Sequence, residues 1–459
     1  MAKETFEGDK IRAARWLGFA KAKLQALKDQ LRLGGGGLKA LTRWYRLENE
    51  VLIMVSSIVG NDEIWIRAKN PYKIVVAGET YHGTGTVAWD PVFTRQWTID
   101  YHDVLSGAVR KRSQFGSFSE MYPTVPPTPN ITSKLYMSNG AFFTVYTGYY
   151  IAGLHSIWKV ERRSVSGEIL WTVERPDLNP AICVLVAVLG DAVYLLGFYE
   201  STTYCRVIEK RNLEDGTLIW STVTPGFNYP TLSVSAIRIG EHDALFIAEA
   251  TDNGLSTDWT VTRIDGESGS VVWSQQLTDA AGFAMYIHAS GEGIYVAGYH
   301  GTTVYSPSHW EYNVRLEKRN TETGDLLWAN PVGPVSPPEP ETIKHPVSDG
   351  RYVYAIHIAG QSPNDTCALW KRDRETGQIG SDGWTTPLSA DDDYRALKEH
   401  RGFLYLCGLV AINFSGAGIP VFPYDWFVEM RKKSNGELVW RKVSKADTYG
   451  GARMLEIMR

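Results

Sequence analysis

Cysteine is scarce: four in 459 residues, at Cys183, Cys205, Cys367 and Cys407. None are adjacent and none form C-x-x-C, which excludes a disulfide scaffold and a structural zinc site of familiar spacing. Long apolar runs are missing as well. The longest, Val51 to Val59, falls far short of the roughly 20 residues a membrane-spanning helix needs. The opening stretch, Met1 to Lys10, carries acidic residues where an export signal has a basic stretch followed by an apolar one. No cleavable signal is therefore expected, and the protein is placed in the cytoplasm or assembled into an extracellular or virion particle. Neither sign of charge dominates: 47 Lys+Arg against 51 Asp+Glu leaves a net of −4, so there is no overall footprint for nucleic acid. Also absent are a P-loop, a dinucleotide fingerprint, G-x-S-x-G and H-E-x-x-H.

What is abundant is Trp, Tyr and Gly, at 16, 24 and 43 residues, and much of it belongs to a repeat. Gly-x-aliphatic-aliphatic-Trp recurs at Gly167–Trp171, Gly216–Trp220, Gly269–Trp273, Gly324–Trp328 and Gly436–Trp440, with a degenerate copy from Gly377 to Trp384. Each copy follows an alternating strand that ends in charge, such as Arg206–Arg211 or Val314–Arg319. Before that stands an aliphatic and aromatic strand, such as Ala192–Leu196 or Phe403–Cys407. The unit is four short strands, a to d, repeated every 50 residues or so, the signature of propeller blades.

Strand b is expected to begin near residues 141, 192, 243, 294, 352 and 403, with a seventh at Ile74–Gly78. The fourth strand of that first blade is expected at Gln96–Ile99, which puts Trp97 in the repeat position held elsewhere by Trp171, Trp220, Trp273, Trp328, Trp384 and Trp440. The first blade then lacks strand a, and Ala452–Ile457 at the C-terminus resembles the one it needs. The expectation is an all-β, seven-bladed β-propeller of four-stranded antiparallel blades over residues 69–459, closed by its C-terminal strand, with six or eight blades as alternatives.

The turn between c and d carries further detail. Asn320-x-x-Thr323-Gly324-Asp325-x-x-Trp328, Asp265-x-x-Ser268-Gly269 and Asp373-x-x-Thr376-Gly377 resemble the tryptophan-docking motif of quinoprotein-like (PQQ-type) β-propellers. Quinone-dependent dehydrogenases of that superfamily use a vicinal disulfide ring, a calcium-binding Asn/Glu pair and a catalytic Asp. No two cysteines are adjacent here, so the resemblance points to the non-enzymatic members that scaffold assemblies, with no cofactor and no catalytic residue expected. An enzyme with a central-channel site, quinone-dependent or hydrolytic, is the alternative.

Strand alternation puts the a–b and c–d turns on one face and the b–c and d–a connections on the other. The long insertions fall in the second set: His102–Thr132 with its prolines from Pro123 to Pro129, Pro331–Thr342, Tyr299–Glu311 and Val410–Asp425. Their aromatic content, with Phe227, Tyr229, Tyr299, Tyr305, His309, Trp310, Phe422 and Tyr424, marks that face as the candidate surface for a protein partner, or for a carbohydrate or receptor. Asp391, Asp392 and Asp393 are the weak candidates for a hard cation, and a charged solvent loop is the simpler reading.

Residues 1–68 stand outside the repeat. Glu7–Leu33 has helical apolar spacing with a basic remainder, Gly34–Gly37 breaks it, Leu38–Leu47 reads as a second short helix, and Val51–Val59 with Glu63–Arg67 reads as a hairpin. Residues 1–50 hold eleven Lys/Arg against six Asp/Glu. This arm is read as docking on its own propeller or as joining residues 1–48 to other subunits. Peripheral contact with an anionic membrane is the less favoured reading.

Overall fold

Four antiparallel strands recur seven times, each set forming one blade. The structure, a computed structural model, describes residues 41–458 apart from 48–49, 57–62, 70–72, 83–92, 104–107, 121–129, 150–157, 165, 178–180, 201–203, 226–231, 253–256, 278–281, 307–308, 332–341, 360–365, 390–391, 411–424 and 445–448. All its elements are strands.

Lettered from the inside outward, blade 1 takes a Tyr449–Met458, b Lys73–His82, c Phe93–Asp103 and d Val109–Glu120. Blade 2 has Asn130–Ser138, Ala141–Tyr149, Lys159–Arg163 and Ile169–Glu174; blade 3 has Ala181–Leu189, Ala192–Glu200, Tyr204–Asn212 and Leu218–Pro225. Blade 4 has Leu232–Ile239, His242–Asp252, Thr257–Asp265 and Val271–Leu277; blade 5 has Gly282–Ser290, Gly293–Ser306, His309–Arg319 and Leu326–Pro331. Blade 6 has Thr342–Ser348, Tyr352–Ala359, Thr366–Asp373 and Trp384–Leu388; blade 7 has Asp392–His400, Phe403–Val410, Asp425–Lys432 and Leu438–Ser444. Each a strand packs against the a strands of its two neighbours, and the C-terminal strand meets those of blades 7 and 2, so the ring is closed. Closure leaves no exposed inner sheet edge to recruit another chain.

The core lies between blades as slabs. Phe143, Trp158 and Trp171 of blade 2 pack on Cys183, Val193 and Leu195 of blade 3. Tyr354, Ile356 and Leu369 of blade 6 likewise pack on Leu397, Leu404 and Phe427 of blade 7. The repeat Trp joins each slab to the next c–d turn. Trp171 donates its indole N–H to Leu213 O (2.9 Å), Trp220 to Gly266 O (3.1 Å), Trp273 to Thr321 O (3.3 Å), Trp328 to Arg374 O (2.8 Å) and Trp384 to Lys433 O (3.3 Å). The turn's Gly makes room for the ring. Gly324 has φ +76°, and a Cβ there would come 2.7 Å from the Trp273 ring. Only Gly serves both the left-handed backbone and the close approach. The residue opening the turn caps it: Asn320 Oδ1 accepts the N–H groups of Glu322 (2.7 Å) and Thr323 (3.1 Å), and Asp373 Oδ1 those of Glu375 and Thr376 (both 2.9 Å).

Charge is used inside each blade as well. Arg211, Arg319 and Arg431 reach a glutamate two residues earlier on strand c (2.7, 2.6 and 2.7 Å) and the carbonyl of the turn's Gly (2.9, 3.0 and 3.1 Å). Blade 6 places Trp370 where the glutamate would be, and Arg372 lies over its ring, 4.4 Å from the centroid. A second basic residue crosses to the next blade's turn: Lys210 to Glu267 (3.0 Å), Arg263 to Glu322 (2.6 Å) and Lys318 to Glu375 (3.2 Å). The junction of blades 6 and 7 departs from this. Lys371 is the crossing residue, but the turn position that holds glutamate elsewhere is Ser434, and Lys371 lies over the Tyr352 ring at 3.9 Å. Ser434→Glu is expected to supply the missing bridge and raise stability by about 0.5–1 kcal/mol. A higher thermal midpoint, lost again in 1 M salt, checks it.

Three expectations need correction. Trp97 lies on strand c of blade 1, opposite Phe115, not on strand d. The connection 83–92 pushes c downstream, and the true strand d, Val109–Glu120, holds no Trp. The expected insertion His102–Thr132 accordingly shrinks to residues 121–129. Within the expected helix Leu38–Leu47, the described part Leu41–Leu47 is a strand paired with Glu50–Ser56, which pairs in turn with Glu63–Lys69. The β-branched and aliphatic Val51–Val55 segment offers Leu41–Leu47, with its Trp44 and Tyr45, a pairing partner that overrides local helical spacing. This three-stranded sheet belongs to a unit of residues 1–73, 103–106 and 459; the ring belongs to the other, 74–102 and 107–458. Glu7–Leu33 lies outside the described residues. The third correction concerns Tyr299–Glu311 and is taken up with the site.

Candidate functional site

Because neighbouring strands are antiparallel, a–b and c–d turns share one face of the ring and b–c and d–a connections the other. The a–b connections are tight, as at 190–191, 240–241, 291–292 and 401–402. The c–d turns are short apart from 374–383, and those of blades 4 to 6 are tied down by the ion pairs described above. The b–c and d–a connections include 83–92, 121–129, 150–158, 332–341 and 411–424.

Tyr299–Glu311 belongs to the same face, but it is not a loop. Strands b and c of blade 5 continue as a hairpin whose register runs Tyr299↔Val314, Gly301↔Tyr312, Val304↔Trp310 and Ser306↔His309. Valine, threonine and tyrosine in Thr302–Tyr305 favour extension over a loop. The hairpin brings Tyr305, His309 and Trp310 to one tip, with Tyr299 on its stem. Phe227, Tyr229, Phe422 and Tyr424 lie outside the described residues, as does Asp391. Asp392 and Asp393 are each engaged by cations. Arg441 binds Asp392 in bidentate fashion (2.6 and 2.9 Å), and Arg395 and Lys344 meet Asp393 at 2.7 and 3.5 Å. Among the described residues no cluster of His, Cys, Asp and Glu could hold a metal ion. All four cysteines are buried and unbridged, and burial pushes the Cys367 thiol up to about 12.

A second group of polar residues, at the centre of the ring, was not signalled by any motif. The a strands of blades 5, 6 and 7 carry Tyr286 and His288, Lys344 and His345, and Asp393, Arg395 and Lys398. His288 and Lys398 hold equivalent positions, opposite Tyr295 and Tyr405 of their b strands. The register slips by a bulge in all three strands, at Ala284/Tyr286, Lys344/Val347 and Tyr394/Ala396. Bulges re-aim side chains. His345 has φ +51° and precedes Pro346, a conformation doubly disfavoured for a non-glycine residue. Its ring lies 4.6 Å from that of Tyr286.

Both imidazoles are half-buried. Burial, aided by the charge of Lys398, lowers His288 to about 4, and burial, aided by the charges of Lys344 and Lys398, lowers His345 to about 3. They are neutral at pH 7, each with one N–H donor. Burial and the charge of Asp393 raise Tyr286 to about 12. His288 and Lys398 fall at equivalent positions of the repeat, but the members of the group come from strands about fifty residues apart, so local spacing gives no signal of them.

The imidazoles also set a pH dependence. Below pH 6.5 the unfolded chain binds a proton at His288 and at His345, while the folded chain does not until about pH 4 and about pH 3. Folding stability therefore falls as the pH drops through that window. Burial raises Glu249 and Glu429, and these act the other way. His345→Asn is expected to lose less thermal stability than the parent between pH 6.5 and about 4.5, as read by paired melting curves.

The ring, its Trp-to-turn joints and its strand order define a β-propeller built of PQQ-type repeats. The chain belongs to the family described as outer membrane protein assembly factor BamB, whose profile matches residues 156–406. Among solved structures it is similar to the quinohemoprotein alcohol dehydrogenase of Comamonas testosteroni, at 8% identity over 81% of this chain and 69% of that one, with a TM-score of 0.43. It is also similar to a protein from Lactobacillus plantarum, at 12% identity over 84% of this chain and 100% of that one, with a TM-score of 0.45. No curated protein sequence matches.

Proposed function

We propose that the protein is a non-enzymatic binding component of a larger assembly, and that the face bearing the b–c and d–a connections receives a protein partner. The observation that carries this reading is the asymmetry of the two faces. One is made of tight turns apart from 374–383, several already joined by ion pairs between blades. The other holds the connections 332–341 and 411–424 and the blade 5 hairpin with Tyr305, His309 and Trp310 at its tip. Aromatic residues are enriched at protein interfaces and supply large contact area there. Membership of a family described as an assembly factor supports protein–protein contact in general. Residues 1–48, basic and outside the repeat, serve in this reading as the tether, and a virion or appendage is one setting for such a component.

The test uses the full chain purified with its natural partners. Shortening 332–341 and replacing Tyr305 and Trp310 by Ser should abolish co-purification, while changing Glu322 and Glu375 on the opposite face should not. Retention of the partners by the first variant, with the ring still folded, refutes the reading. A carbohydrate ligand is distinguished by glycan-array binding that survives removal of all protein partners.

A further inference from the structure

The outer joint between neighbouring blades is built from a docking Trp, its supporting residues and a receiving turn. Between blades 1 and 2 every one of these parts is replaced. The docking Trp stands four residues after the turn's Gly, paired with the last residue of strand c before a register shift, as Trp220 is with Lys210. In blade 1 that place belongs to Lys111, paired with Tyr101 before the same shift. Its ammonium lies over the Tyr101 ring of its own blade, 5.7 Å from the centroid.

The support is replaced too. An aromatic residue of strand b backs the Trp elsewhere: Phe143 lies 5.9 Å from Trp171, Tyr194 6.1 Å from Trp220 and Phe246 6.0 Å from Trp273, between ring centroids. Tyr295 with Trp328 (6.3 Å) and Tyr354 with Trp384 (6.2 Å) repeat the arrangement. Blade 1 has Val75 at this position, three residues before Gly78 as Tyr194 is before Gly197. A basic residue pairs with the Trp in blades 2 to 6, where blade 1 has Tyr101.

The receiving turn has changed with the donor. The turns that accept a Trp close four residues back, with Gly216 N–H on Asn212 O, Gly269 on Asp265 O, Gly324 on Asn320 O and Gly377 on Asp373 O. Blade 2 closes its turn three residues back, with Gly167 N–H on Ser164 O, so that turn is one residue shorter. Val165 takes the position held by Glu267, Glu322 and Glu375 in the ion-paired turns. At the junction of blades 7 and 1, by contrast, the donor Trp440 is kept; the turn facing it, 104–107, lies outside the described residues.

We infer that the ring opens at the junction of blades 1 and 2 before any other. Elsewhere a buried aromatic pair and an indole hydrogen bond hold the rims together, and local differences of this kind decide which part of a fold opens first. Parting these blades breaks no strand pairing, because the two four-stranded sheets are separate. The slab behind the rim then meets water. In blade 3, Val193 and Leu195 pack towards blade 2, and Tyr194 and Leu196 towards blade 4. The same alternation turns Ile74 of blade 1 towards blade 7 and Val75 towards blade 2, and both are fully buried.

Maleimide labelling of the full folded chain, read by peptide mass spectrometry, tests this with two variants, Val75→Cys and Ile74→Cys. The buried Cys183, in the slab of blades 2 and 3, and Cys367, in that of blades 6 and 7, are internal references in each molecule. The thiol at 75 should react about tenfold faster than both references or more, with little dependence on dilute urea, as a local opening requires. The thiol at 74 should react as slowly as the references. A substitution that loosens the whole ring speeds every thiol together, so the ratio within one molecule still decides. Equal rates at 75 and at the references mean that the ring opens only by unfolding. Equally fast rates at 74 and 75 mean that blade 1 frays as a whole. Either result overturns the inference.

Discussion

Gly324→Val is expected to destabilise the ring by about 3–5 kcal/mol, among the largest effects of any single surface-turn substitution in this protein. Two costs add. A β-branched residue at φ +76° is forced into a left-handed backbone, at about 1–2 kcal/mol. The new side chain also enters space held by the Trp273 ring, 2.7 Å from where Cβ would stand, and by Gln275 at 2.8 Å. Trp273 would have to leave the turn and surrender its 3.3 Å bond to Thr321 O. Gly240→Val supplies the control: φ is +63°, but nothing lies within 4 Å of its Cβ, so only the backbone cost applies. Urea midpoints for the two variants should differ clearly. Equal losses would mean that the Trp–Gly contact contributes nothing to the joint.

Glu317→Leu is expected to cost about as much, roughly 3–5 kcal/mol, for a different reason. The glutamate is fully buried on strand c of blade 5. One oxygen accepts from Trp259 of blade 4 (3.1 Å) and from Arg319 (2.6 Å), the other from Arg315 (2.7 Å). Removing the carboxylate strands two buried guanidinium groups and an indole N–H. It also loosens Arg319, which holds Gly324 O at 3.0 Å. Glu317→Gln keeps an acceptor and should lose less, about 1–3 kcal/mol. A loss below about 1 kcal/mol for the leucine variant, outside the range for breaking a buried pair, would show that water or rearranged side chains replace the carboxylate.

The blades were legible because their turns have strict local requirements. Gly at a left-handed position, Asn or Asp to cap the turn, and Trp after two aliphatic residues are all local spacing, and strand b starts within one residue of expectation in blades 2 to 7. Blade 1 was harder to read: its fourth strand has no Trp, so Trp97 drew the assignment although it sits on strand c. Leu41–Leu47 was misread because its partner strand decides its structure. The blade 5 hairpin was misread because Gly298, Gly301 and Ser306 look like loop residues, while cross-strand pairing carries the strands past them. The central group was invisible for a topological reason. Tyr286 and His345 meet only because the inner strands of neighbouring blades lie side by side, each interrupted by a bulge.

The assignment of the two faces is tested most directly by hydrogen exchange on the full chain, free and bound to its co-purified partner. The account predicts slowed exchange in 299–311, 332–341 and 411–424, with the c–d turns at 213–217, 266–270 and 320–325 unchanged. Protection of those turns, with the connections and the blade 5 hairpin unaffected, would contradict it.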